Sequence, residues 1–255
     1  MAYFSKLPYL VLSLNDNYDF IDIGKLEYGN IDDFKDKKMF EKLLKEFVKN
    51  FNYELFFKSN SKLYEKIIDA YKKTLNSYIT ISEDIFYEFY GYKIGNMKVI
   101  LYNFFQGSFG IKTESDVINF NMVKNISKIP NEYKFSTSFI GIFFHEFSHP
   151  YCNPLSYKYF KNINIDNLIN FSISRGLQVF YTNKDSYVSE YIVRAITSYL
   201  IRKYTKEEYY LIDLENNKNK GFVYIDELVK LIDKKINILI LKNFIRKKLL
   251  VFFLI

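Results

Sequence analysis

Apolar positions change their spacing as the chain proceeds. Residues 1–30 scatter short apolar runs among Asn, Asp and Gly, which predicts one or two strands. Beyond them Met39, Phe40, Leu43, Leu44, Phe47 and Val48 recur at three- and four-residue intervals with Lys and Glu between. That is the pattern of an amphipathic helix. Leu63, Tyr64, Ile67, Ile68, Tyr71 and Leu75 repeat it after Ser59-Asn60-Ser61. Ser82, followed by Glu83 and Asp84, predicts the cap of a short third helix that stops at Gly91.

The middle of the chain turns β-like. Residues 97–105 and 116–123 are rich in β-branched and aromatic side chains and predict strands, with Gly107 and Gly110 marking a turn or bulge between them. Residues 125–134 have loop composition. Two strongly apolar helices are then expected, over 138–149, where Pro150 should stop the helix, and over 186–204, opened by Asp185 or Ser186. Residues 215–221 predict a flexible surface loop, and Ile225, Leu228, Val229, Ile232 and Ile236 a last amphipathic helix. The class is α+β: a helical N-terminal part, a small mixed sheet, then helices. No linker or repeat divides the chain, so a single domain over 1–255 is expected, with any sub-division falling between 1–95 and 96–255.

Composition narrows the function classes. A chain of 255 residues that is 49% hydrophobic and 25% charged can bury a real core. The net charge of +7, from 36 basic and 29 acidic residues, is spread along the chain and permits an acidic partner without requiring one. No stretch interleaves bases and aromatics as nucleic-acid modules do, so no nucleic-acid partner is expected. One cysteine excludes an intrachain disulfide. The N-terminus lacks a basic region and a small-residue cleavage site, which points weakly to the cytoplasm. The final run Leu249–Ile255, after Arg246, Lys247 and Lys248, is far shorter than the roughly 20 residues of a membrane span and reads as a buried last element.

The chemistry sits in His145-Glu146-Phe147-Ser148-His149, which holds both histidines of the protein. On a helix, positions i and i+4 share a face about 6 Å apart along the axis, so two imidazoles converge on one ion. Glu146, rotated by about 100°, stands beside that ion without ligating it. The flanking Phe139, Ile140, Ile142, Phe143, Phe144 and Phe147 make the helix apolar nearly all round. Buried imidazoles need partners, and a metal supplies one. The plain alternative pairs both histidines with backbone carbonyls.

Zinc needs a third protein ligand, and no histidine remains. Cys152 and Leu155 stand where the pattern HExxHxxGxxH wants Gly and His, so that class is excluded. Among the downstream acids, including Asp213, most lie in charge-rich stretches that read as solvated. Glu190 instead lies on the apolar helix 186–204, in a narrow polar stripe with Arg194 and Thr197. A carboxylate there needs a counter-charge, either a metal or Arg194 four residues on.

HExxH followed by a glutamate on a later helix resembles the gluzincins, the thermolysin-like zinc metallopeptidases. The strings HEFSHPYCNPL and SEYIVRAIT are also similar to an uncharacterised bacterial family that carries HExxH, a domain of unknown function. The resemblance implies a zincin-like metal helix and a second ligand-bearing helix, with one zinc ion held by His145, His149 and Glu190 and with Glu146 as catalytic base. It also implies a peptide or protein substrate, which the strand at 97–105 would pair as an edge strand. Arg194 departs from the family, whose members carry there an Asp that orients a histidine ligand.

The expectation is therefore a zinc-dependent peptidase. Water would be activated at an open metal position, with Glu146 taking its proton. Arg194, Asn153, Tyr187 and Tyr191 are the candidates for orienting a ligand or stabilising an oxyanion; Tyr151 is a further neighbour. The rival is a non-catalytic metal-binding domain, structural or regulatory, closed by a fourth ligand such as Cys152.

Overall fold

A computed structural model describes residues 7–21, 36–79, 84–102, 108–113, 115–122, 135, 138–160, 164–177 and 184–234. The readings of residues 125–134, Ser82, Ile236 and the C-terminal run lie outside these. The protein is α+β. Its helices are α1 (Leu7–Leu12), α2 (Lys37–Asn50), α3 (Tyr53–Ser59), α4 (Ser61–Tyr78), α5 (Asp84–Tyr90), α6 (Ser138–Phe160), α7 (Asp166–Ser174), α8 (Lys184–Tyr204), α9 (Glu207–Asn219) and α10 (Ile225–Asp233). The strands are β1 (Asn96–Tyr102), β2 (Phe109–Lys112) and β3 (Asp116–Met122). No helix among the described residues is long and apolar enough to cross a membrane.

The two helices that read as apolar all round form the centre. α6 packs along α8, and α9 and α10 cover the other side of α8. Phe139, Phe143, Phe144 and Phe147 of α6 join Val188, Ile192, Val193 and Ile196 of α8 in one buried cluster, together with Tyr71 and Leu75 of α4 and Phe86 of α5. A helix with no polar face can satisfy its surface only by being surrounded, and these two are.

The sheet is mixed, in the order β1-β3-β2. β1 runs parallel to β3, and β2 antiparallel to it. Alternation sends Val117 and Asn119 towards α6, where the Asn119 amide donates to the Phe143 carbonyl at 3.4 Å. Ile118 faces the other way, against Ile111 and Leu12. The Thr113 N–H donates to the Asp116 carbonyl, so these residues close the β2–β3 hairpin as a hydrogen-bonded pair. Such pairs alternate, so Ile111 and Phe109 also bond to β3. The main-chain groups of Gly110 and Lys112 therefore point away from β3, on the side of β2 that pairs with no other strand among the described residues.

Several expectations need correction. The N-terminal segment forms α1 and an isolated bridge between Leu14 and Phe20 rather than regular strands. The periodic stretch after Met39 is a helix, but neither α2 nor α3 buries a residue: Met39, Leu43 and Phe47 are 56%, 55% and 45% exposed. Residues 215–219, expected in a loop, complete α9, because Leu214 and Asn217 are packed against α8. Pro150 does not end α6, which runs on through Pro150 and Pro154.

The continuity of α6 has a local cause. Pro150 has no N–H for the carbonyl of Glu146, four residues back. Gly110 of β2 lies against that carbonyl so closely that a Cβ would come within 2.2 Å of the oxygen. A Cα–H facing a carbonyl at short range is a weak favourable contact, and only glycine leaves room for it here.

Candidate metal centre

His145 and His149 occupy one face of α6, a turn apart, and Glu190 reaches them from α8. The two Nε2 atoms are 3.1 Å apart. His145 Nε2 lies 3.4 Å from Glu190 Oε1, and His149 Nε2 lies 3.6 Å from Oε2. The imidazole planes are perpendicular, at 89°. Ligands held at about 2.0–2.1 Å by a tetrahedral ion sit about 3.3–3.4 Å from one another. Measured to the two oxygens of the one carboxylate, these distances bracket that value, and the three side chains are grouped closely enough to hold a single small cation. Among the described residues this is the group of His, Cys, Asp and Glu side chains spaced to hold one.

Two of the three side chains, His149 and Glu190, are oriented by a neighbour. His149 Nδ1 lies 3.2 Å from Asn153 Oδ1, one further turn along α6. Donation from Nδ1–H to that oxygen leaves the Nε2 lone pair facing the common point. Burial, and then His145, push the His149 pKa down to about 4, so its ring is neutral at neutral pH. Arg194 Nη2 lies 2.5 Å from Glu190 Oε1. Burial pulls the Glu190 carboxyl upward, but His145, Arg194 and His149 together hold it well below the usual carboxylate range. The carboxylate meets Arg194 and both histidines at once.

Glu146 stands beside the triangle and is not part of it. It is buried, and its carboxylate accepts the N–H of Gly110. Burial first, then the neighbouring Glu190, raise its pKa to about 7 against the opposing pull of His145, Arg194 and Gly110. Tyr102, at the end of β1, lies tilted against Phe109 with ring centres 6.0 Å apart; burial and the Glu146 carboxylate push its hydroxyl up to about 12.

The tyrosines expected near the site are elsewhere. Tyr187 bonds to Ser172 at 2.8 Å, and Tyr191 accepts the N–H of Tyr224 at 2.7 Å; both sit in the core beside Phe222. Both are fully buried residues of α8. Tyr151 stacks on Tyr90 at 4.0 Å. Cys152 is buried with its sulfur 3.5 Å from the Tyr90 hydroxyl and outside the ligand group, so it does not close the site. The strands that lie against α6 are β3 and β2, whereas the strand expected to pair substrate is β1. A four-residue strand inside a Gly-rich turn carries no periodic signal of its own.

Sequence reasoning also passed over α9. Asp213, read as solvated, accepts from the Ser198 hydroxyl at 2.5 Å and from the Asn217 amide at 3.0 Å. Burial raises its pKa, with Ser198 and Arg194 opposing.

The sequence model of one family, Domain of unknown function (DUF4932), matches residues 9–237, which includes every residue of the site. The chain belongs to the DUF4932 family. No curated protein and no solved structure matches it.

Proposed function

We propose that this DUF4932 protein is a zinc-dependent hydrolase that cleaves peptide bonds, a peptidase of the gluzincin type. One observation carries the reading: two imidazole nitrogens and one carboxylate grouped at 3.1–3.6 Å, with a buried carboxyl, Glu146, beside them but not among them. Two imidazoles and one carboxylate are the donor set of catalytic zinc sites that keep an open position. Bound there, zinc supplies Lewis acidity, polarising a carbonyl and lowering the pKa of water to about 7.

The chain's own groups do the rest. Glu146 takes a proton from the attacking water at its carboxylate and returns it to the leaving amine. A pKa raised to about 7 suits both transfers near neutral pH. The Gly110 N–H fixes the carboxylate, and Asn153 fixes His149. Tyr102, protonated at neutral pH, is the hydrogen-bond donor for the developing oxyanion, in place of Tyr187 and Tyr191. The outward main-chain groups of Lys112, on the same side of β2 and beyond Gly110, are those offered to an extended substrate.

Elemental analysis of purified protein tests the metal, and a peptide library tests the reaction. One zinc per chain in wild type as purified, reduced to well below one in Glu190→Ala, where only the two histidines remain, together with peptide cleavage abolished by Glu146→Gln, is expected. A metal-free wild-type protein, or cleavage that survives Glu146→Gln, overturns the proposal.

A further inference from the structure

Arg194 stands where the gluzincin pattern places an acidic residue, and its surroundings give it a task of a different kind. Its Nη2 holds Glu190 Oε1, while its Nη1 donates to Asn217 Oδ1 at 2.8 Å. The face of the guanidinium lies 4.7 Å from the centre of the Phe222 ring. Asn217 is 3% exposed, and its amide is oriented unambiguously. The oxygen faces the arginine, and the nitrogen donates to Asp213 Oδ2 at 3.0 Å and faces Ser198 Oγ at 3.4 Å. A flipped amide would set donor against donor and acceptor against acceptor. Ser198 in turn donates to the same carboxylate oxygen of Asp213. Gly221, at φ +90°, turns the chain after α9 and brings Phe222 back under Arg194. A Cβ there would strike Leu177 N at 2.5 Å.

We propose that Asn217, locked by Asp213 and Ser198, is a positioning residue for the metal centre. It holds the Arg194 guanidinium in the one orientation that keeps Glu190 turned to the two histidines. The inference rests on the metal reading above. Its physical basis is entropic: a glutamate side chain has three rotatable bonds, and a fixed counter-charge removes the orientations in which it cannot ligate. Groups that orient a ligand in this way typically contribute about 10–100-fold to metal affinity.

Zinc dissociation constants from competition with a chromophoric chelator test it, with thermal unfolding of the metal-free proteins in parallel. Asn217→Ala should weaken zinc binding by about 10–100-fold. In a Glu190→Ala background the same change should move the constant by less than about twofold, because its route to the metal is gone. Asp213→Asn, which keeps an acceptor for Ser198 and Asn217, should bind nearly as wild type, and Asp213→Ala should not. If Asn217→Ala does not fold, Asn217→Ser removes the arginine contact with a smaller cavity and is read in the same way. Wild-type affinity in Asn217→Ala, or an equal loss with and without Glu190, overturns the positioning role alone. Failure of the wild-type protein to take up zinc overturns the metal reading and this inference with it.

Discussion

Gly110 touches Glu146 twice. Its N–H donates to the carboxylate, and its Cα lies against the main-chain carbonyl that Pro150 leaves without a helical partner. The edge of the sheet is thereby pinned to the side chain proposed as the base. One residue sets both the gap between β2 and α6 and the direction of the Glu146 carboxyl.

A methyl group at this position has no room. Gly110→Ala must push β2 from α6 or shift the Glu146 backbone, and overpacking of this kind costs about 1–3 kcal/mol. The variant should unfold several degrees below wild type and lose activity beyond what its folded fraction explains. Calorimetry with peptide turnover checks this; an unchanged Tm with full activity would show that the close approach is not required.

Removing charge from Glu146 separates metal binding from chemistry. Glu146→Gln should keep one zinc per chain, since the residue is not among the ligand atoms. Turnover should fall by about 10²–10⁴-fold, the usual worth of a general base.

The ligand histidine and its partner should differ in degree. His149→Ala removes one corner of the triangle and should abolish stoichiometric zinc. Asn153→Ala leaves His149 free to rotate and should weaken the metal by about tenfold or more without emptying the site. Chelator competition distinguishes the two outcomes.

Acid stability of the metal-free protein should show two opposed titrations. His149, pushed down to about 4 from 6.5, is neutral when folded while the unfolded chain is protonated, so it costs stability as pH falls through that window. Glu146, raised from 4.5 to about 7, keeps a proton when folded that the unfolded chain has lost, so it costs stability as pH rises. Between pH 4.5 and 6.5 the two slopes have opposite sign and similar size. Glu146→Gln removes one of them. With chelator present, this variant should show a Tm that drops on acidification from pH 6.5 to 4.5 more steeply than that of wild type. Parallel profiles for the two proteins would refute the assignment.

The exposed face of α2 and α3 marks a limit of periodic reading. Met39, Leu43 and Phe47 have helical spacing and the helix forms, but spacing reports which face is apolar and not whether another element covers it. The same limit hid the role of α9, where a run of Asn and Lys looked like a loop although Asn217 is buried against Arg194.

From the sequence alone came the two histidines, the glutamate between them and the apolar helices that carry the site. These are local facts: a four-residue spacing and a missing polar face follow from helix geometry within one segment. The packing of α6, α8 and α9 decided the rest. It brought Glu190 to the two histidines, paired Arg194 with Asn217, laid β3 and β2 along the metal helix, and let α6 continue past Pro150. Those outcomes depend on groups distant in sequence meeting at close range, and no local pattern records which surfaces will meet.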